Sequence, residues 1–416
     1  MTTPPVLPLW RNRDFTLLWS SQVVSTVGTR VTSVAYPLLV LLLTGSPALA
    51  GVVGFAQTLP FLLLYLPGGA WVDRWDRRRT MVGCELGRAV ALGSVAVTAA
   101  VAGVHAVPVA QLAMVAFVEG CLFVLFDLAE GAALPRLVAP EQVPTAVAWN
   151  QARTQGADLV GQPAGGALFA LAPALPFAVD AISYLVSGGA VAAIRTRLQG
   201  ELTATPDRLR TRVAEGVRFV ARSAYLRETV AIVGWMNLVF NGAFLALIVR
   251  ARDVGGSPGQ IGFMLAAYGA GGVLGALAAP TLHRRLAGRT LLVGIAWIWA
   301  AIAVALAVPA SLVGLAALVL VMNLFGAPYN VVIAARMYEL VPDELLGRVR
   351  SVVKIVAWGT IPVGTLLGGV LAEGLSARTA LLVLGLGMIP IAIVSTLSPG
   401  MRSIGDPVSE PDGQPV

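Results

Sequence analysis

Glu119, Asp127 and Glu130 lie in one strongly apolar stretch. At 100° per residue, a helix would hold all three within an arc of about 80°. Ionisable groups inside a bilayer are costly and mark proton or substrate pathways, so an acidic helix face is a candidate for proton uptake and release. Arg30 lies about 15 residues into an earlier apolar run, roughly 22 Å from its start at 1.5 Å per residue. Glu119 lies about 10 residues into its own run, so both fall near mid-depth and Arg30–Glu119 is the expected buried pair. A proton or a cationic substrate could displace such a pairing. The alternative is a purely structural ion pair, with Asp127 a helix-packing residue. Asp158 and Arg153 stand five apart, hence on different helix faces. Asp158 is a candidate for the same cavity and Arg153 a candidate partner for Glu130, with structural roles as the alternative for both. Asp180 reads as structural. Asn237 and Asn241, spaced i,i+4, together with Asn323, Tyr329 and Asn330, would line a cavity or glue helices together. Phe55, Phe61, Tyr268 and Trp358 read as packing, or as contacts for an amphipathic ligand.

Other chemistries lack their residues. Cys84 and Cys121 fall in different apolar segments, and His105 and His283 are scattered, so no metal-ligand spacing exists. One lysine and no Ser/Lys or His/Asp constellation argue against a membrane-embedded enzyme. No G-x-x-x-x-G-K-[ST] loop is present, so ATP is not the expected energy source and no cofactor is expected.

The elements that must position these residues are membrane helices. Of 416 residues, 57% are apolar and 12% charged, with a mean hydropathy of +0.79. A soluble domain carries roughly 25% charged residues, so a water-soluble enzyme and a disordered chain are both excluded. The net charge of +7 sits in short gaps between apolar runs, as in cytoplasmic loops, rather than in a nucleic-acid patch. Twelve spans are predicted, at 15–43, 47–72, 80–103, 108–134, 143–171 and 175–194, then 228–249, 258–282, 289–308, 311–337, 346–374 and 378–398. The first is read as a retained span rather than a cleaved signal. Segments assigned inside carry most of the arginines and Lys354, while those assigned outside hold Arg250, Arg252 and Arg378. This asymmetry predicts both termini in the cytoplasm.

The expected architecture is an all-α integral membrane protein with twelve transmembrane helices in two pseudo-symmetric six-helix bundles. Residues 1–194 and 228–398 form the bundles. The linker 195–227 carries a basic amphipathic helix, with Val213, Val217 and Val220 on one face, lying on the inner leaflet or, alternatively, standing as a solvated linker helix. The polar tail 399–416 is expected to be disordered. The halves repeat: "LVAPEQ" at 137–142 leads to Gly165-Gly166, and "LVPDEL" at 340–345 leads to Gly368-Gly369. Parallel six-helix repeats place a substrate site between the halves near the bilayer midplane.

The stretch "GGAWVDRWDRRR" (68–79) resembles the loop between helices 2 and 3 of the major facilitator superfamily. Gly69, Asp73, Arg74, Arg77 and Arg78 match the pattern, and Asp76 replaces its usual second glycine. "DRxDRRR", "WRNRDFTLLWSSQ", "PFAVDAISYLVS", "EGVRFV" and "ARDVGGSPGQIG" are similar to the branch containing macrolide exporters and the enterobactin exporter. The resemblance implies a twelve-helix exporter coupled to proton entry. It also implies a latch in which Asp73 faces the N-terminal dipole of helix 11, near residues 344–346, when the cytoplasmic side is shut. Two departures weaken proton antiport: Ala116 stands where such antiporters often carry an arginine, and the helix-5 motif reads Gly161-Gln162-Pro163-Ala164-Gly165-Gly166, its proline displaced by one.

The expected function is secondary active export of a small amphipathic molecule (drug, antibiotic or siderophore-like) across the cytoplasmic membrane by alternating access. The alternatives are an importer or lipid-handling facilitator of the same fold, or a non-transporting receptor. The expected partners are that substrate, protons and membrane lipids, with no nucleic acid; the protein is expected to be a monomer.

Overall fold

The computed structural model describes residues 8–199 and 209–402. The described residues form helices and connecting turns. Helices 1 to 6 are Arg13–Thr44, Pro47–Arg74, Arg77–Ala102, Val109–Leu137, Val143–Leu171 and Leu175–Ala192. A linker helix, Leu209–Arg222, precedes helices 7 to 9 at Ala224–Asp253, Pro258–Arg285 and Gly288–Ala305. Helix 10 has two segments, Leu312–Leu324 and Gly326–Leu340. So have helix 11, Asp343–Gly359 and Ile361–Gly374, and helix 12, Ala377–Leu386 and Ile389–Leu397. Each of these three was expected as one uninterrupted span. The breaks fall within one turn before Pro328, Pro362 and Pro390, where the ring meets the carbonyl four residues back and a backbone donor is missing.

Polar residues set the other ends. The side chains of Asn12, Ser46, Asp76, Ser223 and Ser257 cap the helices that follow them, the last in a reciprocal capping box with Gln260. Each cap contributes about 1 kcal/mol. Asp76, which departs from the loop pattern, accepts from the Arg79 amide at 2.8 Å and so starts helix 3.

Among the described residues, eleven spans are long and apolar enough to cross a membrane. Helix 5 is the twelfth in length and position but not in composition. It carries Asn150, Gln151, Arg153, Gln155, Asp158 and Gln162. It packs against helix 1 on one side and helix 8 on the other, so protein rather than lipid receives part of this polar surface.

Helices 1 to 6 and 7 to 12 form two bundles that meet along two seams, helix 5 on helix 8 and helix 2 on helix 11. Paired glycines build both by the same rule. A Cβ on Gly165 would collide with the Val31 carbonyl of helix 1, and one on Gly166 with Pro258 and Gly262 of helix 8. In the second half, Gly368 abuts Gly242 of helix 7 and Gly369 abuts Pro47 and Gly51 of helix 2. In each repeat the first glycine seats the helix in its own bundle, and the second lets the opposite bundle approach.

Polar contacts also bridge the bundles at the far end, away from the start of helix 1. There the Glu373 carboxylate of helix 11 accepts from the Ser46 hydroxyl and from the Ala48 amide at 2.9 Å, capping the N-terminus of helix 2. Arg252 of helix 7 donates to the Leu41 carbonyl at 3.1 Å.

At the opposite end Asp73 is exposed, its side chain at 68%, and its charged neighbour is Arg77 at 3.8 Å. The expected contact of Asp73 with the helix 11 N-terminus is therefore replaced here by the mirror contact, Glu373 on helix 2. Arg77 donates to the Ala132 and Leu198 carbonyls, and Arg78 to that of Thr196. These two arginines pin the chain leaving helix 6. Arg74 is exposed, and a Cβ on Gly69 would meet nothing.

The linker helix docks on helix 11, with Gly216 against Arg348 and Val352, Glu215 paired to Arg348, and Val220 buried, while Val217 stays exposed. The tail begins with a helical turn, Pro399–Arg402; the remainder of the expected disordered segment, 403–416, lies outside the described residues.

The Glu373 cap should hold the far end shut. In a background without Cys84 and Cys121, a Leu38→Cys probe, buried at that end, should react with a hydrophilic maleimide several-fold faster when Glu373→Ala is added. An unchanged rate would show that the cap is not a closing contact.

Candidate functional site

Among the described residues, the charged groups of helices 1 to 6 include one sealed cluster and three ion pairs, one of them to helix 11. The cluster is centred on Arg88 of helix 3, which is 2% exposed. Glu85 and Asp180 are fully buried and Glu119 is 2% exposed. Arg88 nitrogens lie 3.9 Å from Glu85 and 3.8 Å from Glu119. Its guanidinium donates to Thr29 at 3.1 Å and to the Tyr184 hydroxyl, and stacks 3.9 Å from the Tyr184 ring centre. Glu119 accepts from Tyr36 and Tyr184, each at 3.1 Å, and from Gln57 at 3.5 Å. Glu85 accepts from Gln22 at 2.9 Å and Ser187 at 2.8 Å. Asp180 accepts from Thr32 at 2.7 Å and Ser183 at 3.0 Å. Helices 1, 2, 3, 4 and 6 all contribute. Gly28 and Gly120 make room, since a Cβ on the first would strike Asp180 and on the second the Gln57 carbonyl.

The expected Arg30–Glu119 pair is not formed. Arg30 instead lies 2.8 Å from Asp158 of helix 5. The reason is angular: Glu119 points into the first bundle, whereas Arg30 lies on the side of helix 1 that meets helix 5. Gly161 allows this contact, because a Cβ there would strike Arg30 and the Val27 carbonyl. Asp158 also accepts from Gln162 at 3.4 Å, and Gly269 of helix 8 packs on Leu159 and the Asp158 backbone. This pair therefore stands where helix 5 meets the second bundle. Pro163 sits between Gly161 and Gly165 within helix 5.

The second pair crosses the other seam. Asp127 lies 3.0 Å from Lys354 of helix 11 and accepts from the Tyr65 hydroxyl at 3.0 Å. Lys354, assigned above to the inside charges, stands about three turns into helix 11. Its ammonium is 4.3 Å from the Tyr65 ring centre and 4.6 Å from that of Trp358. Phe61 packs on Trp358 and Phe123 at 5.5 and 5.6 Å between ring centres. The third pair, Arg153–Glu130 at 2.8 Å, joins helices 5 and 4 as the sequence suggested.

The three acids of helix 4 thus share an arc yet serve three partners, on helices 3, 11 and 5. Asn237 and Asn241 do not form a free polar lining. Asn237 donates to the Ala357 carbonyl of helix 11 and Asn241 to that of Asn237, both at 2.8 Å. Asn323 donates to Tyr268 at 2.8 Å. These amides bind backbone.

Sequence reasoning missed Glu85, Arg88 and Lys354. The signal existed: Glu85 and Arg88 stand i,i+3 in an apolar run. Both lie close enough to a predicted span end for their charges to reach water by snorkelling. Only the packing of five helices shows them sealed. Among the described residues no group of three or more His, Cys, Asp or Glu could hold a metal ion.

Two six-helix bundles with charged groups at their seams define a transporter of the major facilitator type. The solved nucleoside transporter NupG has this fold, with a TM-score of 0.75 over 92% of this chain and 99% of that chain at 11% identity. The chain belongs to the transmembrane secretion effector family, whose model matches residues 3–404. It is 31% identical to the multidrug efflux pump Tap of Mycolicibacterium fortuitum, over 95% of this chain and 98% of that protein. It is also 24% identical to macrolide efflux protein A of Streptococcus pyogenes, again over 95% and 98%.

The Arg88 cluster should behave as one unit. Removing one partner from a buried charged group costs about 3–5 kcal/mol. Arg88→Met should therefore lower the thermal midpoint in detergent markedly, and adding Glu119→Gln should recover part of the loss. A midpoint equal to the wild type would mean the carboxylates do not need the guanidinium.

Proposed function

We propose that the protein exports a small amphipathic molecule across the cytoplasmic membrane by alternating access, driven by proton entry. The observation that carries the export reading is likeness along nearly the whole chain to pumps named for multidrug and macrolide efflux. On this reading the end bearing the start of helix 1 faces the cytoplasm, as the arginine distribution supports, and the monomer is the working unit. The far end bridged by Glu373 and Arg252, with Asp73 released, corresponds to a state closed to the outside.

The proton step belongs to the seams. Glu119 is held by two tyrosines and an arginine inside one bundle, which supports a holding role. Asp158 and Asp127 lie on surfaces that must part when the bundles rock. A proton arriving from outside binds the Asp158 carboxylate and releases Arg30. Its departure to the cytoplasm lets the ion pair reform. Buried charge is costly when unpaired, so proton binding and helix separation favour one another.

Efflux into inverted vesicles, tested with cationic, neutral and siderophore-like compounds, should depend on an imposed pH gradient for at least one compound. Asp158→Asn should remove most of the gradient-driven component while leaving protein levels intact. Gradient-independent transport in the wild type, or full gradient coupling in the variant, would sink the proton assignment.

A further inference from the structure

The chain has 29 basic residues, and a single one of them is lysine. That lysine reaches from one bundle into a box built mainly by the other. Lys354 touches Asp127 at 3.0 Å, and Tyr65 and Trp358 present their rings to its ammonium. Phe61 and Phe123 extend the aromatic wall. A carboxylate beside two ring faces is the chemistry that recognises an organic cation, and here a side chain of the protein fills it. We propose that Lys354 is a tethered stand-in for the transported molecule, and that the box Asp127–Tyr65–Trp358 takes a lipophilic organic cation that displaces the lysine. This inference rests on the export reading and names its substrate class.

Three features make the lysine exchangeable. First, its side chain is 39% exposed and that of Asp127 35%, and ion pairs of such exposure contribute little. Arg88, at 3%, has no such freedom. Second, an ammonium on a flexible four-carbon stem is a point charge that can swing away. A guanidinium would clamp the carboxylate through two parallel hydrogen bonds. Third, the box is split between bundles, with Asp127 and Tyr65 on helices 4 and 2, and Lys354 and Trp358 on helix 11. Separation of the bundles therefore dismantles it. An incoming cation gains the carboxylate and the ring faces while Lys354 turns to solvent, so Asp127 keeps a cationic partner throughout and the displaced charge is carried by water. Asp127 keeps its Tyr65 hydrogen bond at 3.0 Å, which fixes the carboxylate for whichever cation is present.

The test uses the purified full chain in detergent, with tetraphenylphosphonium as probe and triphenylphosphine oxide as its neutral counterpart, by equilibrium dialysis. Lys354→Gln removes the competitor and should tighten tetraphenylphosphonium binding by about three- to tenfold. Asp127→Asn should weaken it by about tenfold or more. Trp358→Ala should weaken it by about fivefold. The double variant Asp127→Asn/Lys354→Gln restores neutrality, so it folds without a lone charge, and should bind as poorly as Asp127→Asn. The neutral probe should not respond to either charge substitution. Unchanged or weaker cation binding in Lys354→Gln, or strong binding in the double variant, would overturn the proposal. Vesicle efflux separates this from the export reading: the expected binding pattern without transport defeats export alone, and transport with charge-insensitive binding defeats the box alone.

Discussion

Charge held away from water must be paired, and that constraint organises the structure. Each acid within the bundles has its own solution. Glu85 and Glu119 lie beside Arg88 within a shell of hydroxyl and amide donors, and Asp180 accepts from the hydroxyls of Thr32 and Ser183. Asp158 has Arg30, Glu130 has Arg153 and Asp127 has Lys354. The solutions differ in kind. The Arg88 cluster is closed off by five helices of one bundle, so opening it would expose unpaired charge at a cost comparable to the stability of the fold. Of the pairs at the seams, Asp158 is buried beside a partly exposed Arg30, while Asp127 and Lys354 are both partly exposed and join opposite bundles. The first arrangement keeps a bundle rigid, and the second permits its surfaces to part.

Small residues supply the other half of that freedom. Backbones meet at Gly166 and Gly262 on one seam and at Gly51 and Gly369 on the other, with few side chains to interlock. Such contacts pack closely yet separate without withdrawing knobs from holes. The far end is held instead by polar contacts at helix ends, Glu373 on helix 2 and Arg252 on helix 1. Helices 2 and 11 run antiparallel, so each brings a carboxylate, Asp73 or Glu373, to the end where the other begins. With Glu373 engaged and Asp73 exposed, the pair describes a rocker gripped at one end.

Much of the fold was legible because hydrocarbon is an unforgiving solvent. Long apolar runs, arginine-rich gaps and repeated Gly-Gly positions led to two six-helix bundles, and Arg153–Glu130 followed from helix spacing. Helices 10, 11 and 12 were expected as single spans, and Pro328, Pro362 and Pro390 split them. Helix 5 was legible as a span although it carries many polar residues, since its neighbours absorb Asp158 and Gln162. Depth was legible as well: Arg30, Glu119 and Asp158 all lie well inside the bundles.

Partner choice was not legible, because depth along a helix says nothing about direction around it. Arg30 and Glu119 are at similar depth, yet one turns to helix 5 and the other to Arg88. Lys354 looked like an inside anchor until helix 11 brought it against Tyr65 and Trp358. Sequence by itself determined that this chain forms membrane-spanning helices, where they begin and end within a turn or so, and that several carry charge into the apolar layer. Only the tertiary structure decided which charges meet, because azimuth and inter-bundle register depend on glycine contacts and helix crossings formed between different helices, by residues far apart in the chain.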